Sequence, residues 1–386
     1  MISDNAIFRT LIFSSILSVM SACGASSANS DAVRIGVLYS LSGEQASLDE
    51  SSLKGAELAA QEINAAGGIL GKALLLEVRD AKTSPEAAAE GARELYGDEG
   101  LSIVMGLSDT GLANPVATES QLKEKLFVTS GATGPGLVKE APTSTFLACF
   151  SDVTQARAAA QFARSVLTLR SIVVIRDETS EYARVLSDSF VSSFASAGRV
   201  VSRVSFQGSA VNLDSVVNQA RANRADGIFL AAQPNEVATL LRALREGGIA
   251  SPIIGGDSYD SPLIFALSAD VKQGVYYTTH ALLSGPAQSP GASAFIQNYT
   301  NSYGEAPESA FAALGYDTVR LIAQAVEKAG GTDVSLLRKA LEDTSRFSGV
   351  TGSISYGIGK HIPQKDVSVV TFKDGVAVLA STVAGR

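Results

Sequence analysis

Val33-Arg34-Ile35-Gly36-Val37-Leu38 opens the stretch, residues 33–78, whose reading decides the fold. Apart from Arg34 these residues are apolar or small, and a serine-rich segment follows them, so the run reads as a buried strand. Ala56, Ala59, Ala60 and Ile63 then share one face at the 3.6-residue period, and Gly67-Gly68 stops that helix. Leu74 to Val78 forms a second strand, ending at Asp80. Strand, helix, strand is the unit of a parallel sheet flanked by helices.

The unit recurs. Pro85 to Leu95 is an Ala-rich helix, Leu101 to Met105 a strand, and Phe127-Val128-Thr129 a strand leading into Ser130-Gly131-Ala132-Thr133. A second run begins after Cys149, with helices at 155–166, 183–197, 213–222 and 236–245. Its strands are 171–175, 200–206, 227–231 and 252–255. Two comparable β/α runs mean two similar lobes, each of roughly the 150 residues of an ordinary domain. In such sheets a ligand sits beyond the carboxyl ends of the strands. The loops that matter are therefore 40–51, 106–111, 130–133, 177–182, 232–236 and 257–259, rich as a group in Ser, Thr, Asp and Gly. That composition suits hydrogen bonding to a small polar molecule, and it suits ordinary turns as well.

Composition narrows the function. A net charge of −8 gives no electrostatic reason to bind nucleic acid or anionic lipid headgroups. Two His and two Cys leave little for a metal site or a His-based catalyst, and no cofactor is implied. Gly67-Gly68-Ile69-Leu70-Gly71-Lys72-Ala73 is not a phosphate loop: it follows a helix, and Ala73 lacks the metal-binding hydroxyl. Without a Gly-x-Ser-x-Gly elbow either, an enzyme is disfavoured.

Residues 11–20, LIFSSILSVM, form an apolar stretch too short to span a bilayer, and Ser21-Ala22-Cys23-Gly24 follows. This looks like a bacterial lipobox: residues 1–22 a signal peptide, Cys23 lipidated, and 23–32 a small, polar tether. A plain signal peptide with an incidental Cys23 is the other reading. Cys149, among Phe146, Leu147, Ala148 and Phe150, reads as a buried structural thiol.

Longer motifs carry a resemblance. They are Ser40-Leu41-Ser42-Gly43, Gly55-Ala56-Glu57-Leu58-Ala59, Glu62 to Lys72 (EINAAGGILGK), and Thr129 to Thr133. Phe150-Ser151-Asp152 with Gln155, Gly255 to Pro262 (GGDSYDSP) and Gly315-Tyr316-Asp317 complete them. In this order the chain resembles the type I periplasmic binding proteins of branched-chain amino acid ABC transporters across residues 33–386. The resemblance implies two Rossmann-like α/β lobes with parallel sheets, joined by a three-segment hinge near Cys149, His280 and Pro363. One lobe would be 33–149 plus 281–362, the other 150–280 plus 363–386.

It also implies a site. Thr110 and Thr133, with Ser130 and Ala132 through main-chain groups, would hold a ligand carboxylate with neutral donors. The threonines equally suit helix capping, and an acid at Asp109 would repel a carboxylate if it faced the pocket. Asp257 matches the acid that receives a ligand ammonium, its alternative being a turn cap. Tyr182 matches an aromatic that closes over the ligand, its alternative being to pack on Arg184. Leu48 and the neighbourhood of Gln233 stand where some relatives carry aromatics, so the pocket is more polar and Leu/Ile/Val specificity does not carry over. His280 reads as a hinge or cleft-edge residue and His361 as surface. The implied function is a substrate-binding lipoprotein of the cell envelope that closes on an amino acid or similar ligand and docks on ABC transporter permease subunits. A ligand sensor reporting to a regulator is the alternative.

Overall fold

A computed structural model of the chain describes residues 32–284 and 290–385. The expected signal peptide, the expected lipidation at Cys23 and nearly all of the expected tether fall on residues outside the described ones. The first run is β1 (Val33–Tyr39), α1 (Ala46–Ala65), β2 (Leu74–Asp80), α2 (Pro85–Gly97), β3 (Ile103–Gly106), α3 (Thr110–Leu122), β4 (Leu126–Thr129), α4 (Gly136–Glu140) and β5 (Thr145–Leu147). Its strands pair in parallel in the order β2-β1-β3-β4-β5.

The second run is α5 (Asp152–Ser165), β6 (Ser171–Asp177), α6 (Glu181–Phe194), β7 (Arg199–Phe206), α7 (Leu213–Ala222), β8 (Gly227–Ala231), α8 (Pro234–Glu246), β9 (Ile253–Gly255), the short α9 (Pro262–Phe265) and α10 (Ala269–Lys272), and β10 (Val275–Thr279). The chain then adds α11 (Pro290–Tyr303), α12 (Ala310–Ala329), α13 (Val334–Glu342) and the hairpin β11 (Phe347–Gly349) and β12 (Gly352–Ile354), all packed into the first core. It ends with β13 (Val367–Lys373) and β14 (Val376–Val383), which join the second sheet antiparallel at its edge. That sheet runs β14-β13-β10-β9-β8-β6-β7, so both lobes repeat one strand order and reverse direction at an equivalent point, β1/β3 in one and β6/β8 in the other.

The cores explain the elements. Ile35, Val37, Ile103, Met105 and Val128 are fully or almost fully buried between helices, as are Val173, Ile175, Ile228, Leu230 and Ile253 in the second lobe. Helix α1 packs on α12 backbone to backbone: a Cβ on Gly55 would lie 1.8 Å from the Ala312 carbonyl oxygen, and one on Gly315 1.9 Å from that of Ser52. Gly55→Ala is therefore expected to destabilise the fold by about 1–3 kcal/mol through overpacking. Urea unfolding of the variant checks this, and an unchanged midpoint would show that the helices part freely.

The chain passes between the sheets three times, after β5, after β10 and before β13. The third passage corrects the expectation for His361. This residue is buried, its ring stacked on Phe146 at 3.8 Å, with Nδ1 at 3.0 Å from the Thr145 carbonyl and Nε2 at 3.1 Å from Glu342. A Pro-flanked loop reads as exposed, but here it threads between β5 and α13. Lys365, in the same passage, is buried and donates to the Ala148 carbonyl (3.0 Å) and the Thr351 hydroxyl (2.6 Å), tying the first passage to the third.

Candidate binding cleft

At each reversal point the loops after two neighbouring strands splay apart and leave a crevice. The two crevices face each other. Glu44, Gln45 and Asp109 from the first lobe, and Thr179, Ser180, Glu181, Gln233 and Glu236 from the second, line one cleft of about 580 Å³.

In the first lobe the loops are set by side chains. The Thr129 hydroxyl accepts the Ala132 amide (2.9 Å) and donates to the Leu107 carbonyl (3.1 Å), pinning loop 130–132 against the loop after β3. The Ser130 amide bonds to the Gly106 carbonyl at 3.1 Å and that of Ala132 to Leu107 at 3.2 Å, so both main-chain donors are engaged within the lobe. Tyr39 donates to the Ser130 hydroxyl at 3.0 Å, and the Gly134 amide donates to the Thr110 hydroxyl at 3.1 Å. Each hydroxyl keeps its own proton to donate. Asp109 caps α3 by accepting the Leu112 amide at 3.0 Å. Asp49, in the first turn of α1, is fully buried and accepts the Ser40 amide at 2.7 Å.

At the junction of the lobes lies a buried polar cluster. Asp257 accepts from Gln155 Nε2 (3.0 Å) and the Tyr182 hydroxyl (2.9 Å) on one oxygen, and meets His280 Nε2 at 3.0 Å on the other. Gly256 makes this possible, because a Cβ there would lie 2.2 Å from the Tyr182 hydroxyl oxygen. Burial, reinforced by Asp257, raises the Tyr182 phenol well above its ordinary value. Burial lowers His280, which stacks on Phe150 at 3.8 Å. Asp152, the first residue of α5, accepts from Thr133 (2.7 Å) and Gln155 (3.0 Å) on one oxygen, while the other has no hydrogen-bond partner. Burial, then the charge of Asp257, pushes Asp152 up to about 8.

The mouth is bridged. Gln233 Nε2 donates to Asp109 (2.6 Å) and Ser180 (3.1 Å), its Oε1 accepts from Gln45 (2.8 Å), and Asn114 donates to Glu181. Side chains of both lobes thus meet across the cleft. The structure brings Thr133, Tyr182 and Asp257 to the junction and Gln233 to the mouth, with Thr110, Ser130 and Ala132 on the first-lobe wall. Asp152, Gln155 and His280 were not read as site residues. The i, i+3 spacing of Asp152 and Gln155, which aims both at Asp257, was the signal available for two of them.

Comparison with known proteins places this geometry. A family described as periplasmic binding protein matches residues 32–377. The chain belongs to that family. Its members are binding proteins, not enzymes, and their shared two-lobed fold is the one described above. This periplasmic binding protein is 27% identical over 358 residues to the Leu/Ile/Val-binding protein homolog 3 of Brucella melitensis, covering 92% of this chain and 95% of that one. Its fold matches a leucine-binding protein of Thermotoga maritima with a TM-score of 0.85 at 25% identity, covering 91% and 99% of the two chains. It also matches the branched-chain amino acid transporter substrate-binding protein LivJ of Streptococcus pneumoniae, crystallised with isoleucine. There the TM-score is 0.84 at 27% identity, covering 92% and 99%.

Proposed function

We propose that this protein captures a small amine-bearing ligand, an amino acid or a close relative, between its lobes and delivers it to the permease subunits of an ABC importer. The observation that carries the reading is Asp257, buried at the lobe junction and held by Gln155, Tyr182 and His280, beside the unpartnered oxygen of Asp152. Buried carboxylates facing one another call for a cation, and an ammonium group supplies it. The hydroxyls of Thr110 and Ser130 are the donors we assign to a ligand carboxylate. Thr133 acts by orienting Asp152, and Gln233 closes the mouth. Closure is a hinge motion about the three passages, between lobes of residues 33–149 plus 281–362 and 150–280 plus 363–386. Lipidation of Cys23 would hold the protein to the membrane outside the cytoplasm, with 23–32 as its tether.

A thermal-shift screen of residues 24–386 against amino acids, amides, urea analogues and small carboxylates tests the reading. A ligand specific for the folded state raises the melting temperature at saturation. A shift with an amine-bearing compound is expected. Shifts confined to uncharged amides or carboxylates would remove the ammonium role of Asp257.

A further inference from the structure

A separate cavity of about 300 Å³ lies beside the second passage between the sheets. Phe265, Tyr277, Phe372 and Ala377 of the second lobe wall it, with Leu282 and Leu283 of the passage itself, and the start of α12 closes it from the first lobe. Among the described residues none lines both this cavity and the cleft. An apolar cavity of about 150 Å³ holds a benzene molecule, so this one has room for a ring and a short chain.

A carboxyl group faces that apolar space. Asp260 lines the cavity and is only 4% exposed. Thr279 and the Ala310 amide (3.3 Å) both donate to its Oδ2. Among the described residues no donor meets Oδ1, so that oxygen is the one left to the cavity. Burial pushes this carboxyl up to about 7, and its charge in turn raises the Tyr277 phenol beside it.

The surrounding charges say what fits. Among the described residues the charged side chains on the wall are Asp260 and Glu308, and Glu308 already meets Lys54 at 3.2 Å. Lys272 stands 5.0 Å from the Phe372 ring but donates to the Phe265 (2.7 Å) and Gly375 (3.0 Å) carbonyls. An anion, or the carboxylate of an amino acid, would find no cation here and would meet Asp260. A pure hydrocarbon would leave Oδ1 buried without a donor. An ammonium supplies both donor and charge, and aromatic walls suit its attached carbons.

We propose that this cavity is a second ligand site, for a small apolar primary amine that carries no carboxylate. Its ammonium sits on Asp260 Oδ1 and its ring or branched chain lies among Phe265, Tyr277 and Phe372. The site stands apart from the cleft, and its failure would leave the function proposed above untouched.

Calorimetry on the full chain with phenethylamine, against phenylacetate as the anion of matching shape, tests it. The amine is expected to bind at least about tenfold tighter than the anion. Asp260→Asn, which removes the charge, and Ala377→Leu, which fills the space, are each expected to weaken it by at least about tenfold. Ring-current shifts at the Leu283 and Val376 methyl groups locate the amine in the unmodified protein, whether or not either variant folds. No binding of the amine, equal binding of phenylacetate, or shifts confined to cleft residues would each overturn the inference. So would parental affinity in both folded variants.

Discussion

Asp257→Ala is expected to weaken binding of an amine-bearing ligand by at least about 2 kcal/mol, roughly thirtyfold, because it leaves the ligand cation buried and unpaired. The variant also strips the acceptor from Gln155, Tyr182 and His280, so its folding must be followed by thermal unfolding in parallel. Asp257→Asn keeps an acceptor oxygen while removing the charge, and it separates the electrostatic role from the structural one. Equal calorimetric affinities of the parent protein and both variants would take Asp257 out of the site.

Affinity is also expected to rise steeply with pH between about 6 and 8, by up to tenfold per unit. Asp152 stands at about 8 in the folded, ligand-free cleft, against an ordinary carboxyl value of 3.8. It holds a proton at neutral pH that a cationic ligand must displace. Binding therefore releases a proton, and calorimetry in buffers of different ionisation enthalpy reads that release directly. Asp152→Asn is expected to flatten the profile, and a flat profile in the unmodified protein would show that the ligand does not use this carboxyl. Burial also lowers the His280 imidazole from its ordinary value.

The same proton has the opposite effect on ligand-free stability. Between about 4 and 8 the folded state keeps it on Asp152 while the unfolded chain has lost it, so stability falls as pH rises. Asp49 and Asp260, each raised by burial to about 7, act in the same direction. The ligand-free protein is expected to be most resistant to urea on the acid side of neutrality, and a bound cation that keeps Asp152 ionised removes that residue's share of the trend.

The β/α alternation was legible because Val33 to Leu38, Ser171 to Ile175 and Gly227 to Ala231 are short buried runs bounded by breakers, and all three are strands in the structure. Helix α3 was not read. Its stripe is built from small residues such as Ala113, Ala117 and Ser120, and Pro115 lies inside it, so the apolar period is faint. Loops 40–51, 106–111, 177–182 and 232–236 each contribute to the cleft lining, because that follows from the topology of any parallel sheet. The pairing of Asp152 with Asp257 joins residues 102–105 positions apart through Gln155, and no local pattern encodes such a separation. His361 failed for a related reason: exposure of a loop depends on what packs around it.

Gln233 has a consequence for the resting protein. Its bonds to Asp109, Ser180 and Gln45 draw the mouth together using protein groups alone, each contributing about 0.5–1.5 kcal/mol net. The free-energy gap between open and shut forms of such a molecule is itself only a few kcal/mol. One amide therefore sets how often the protein shuts on nothing. The affinity measured from outside is the intrinsic one multiplied by the population able to bind. A tighter bridge would lower capture, whereas a looser one would let a bound ligand escape sooner.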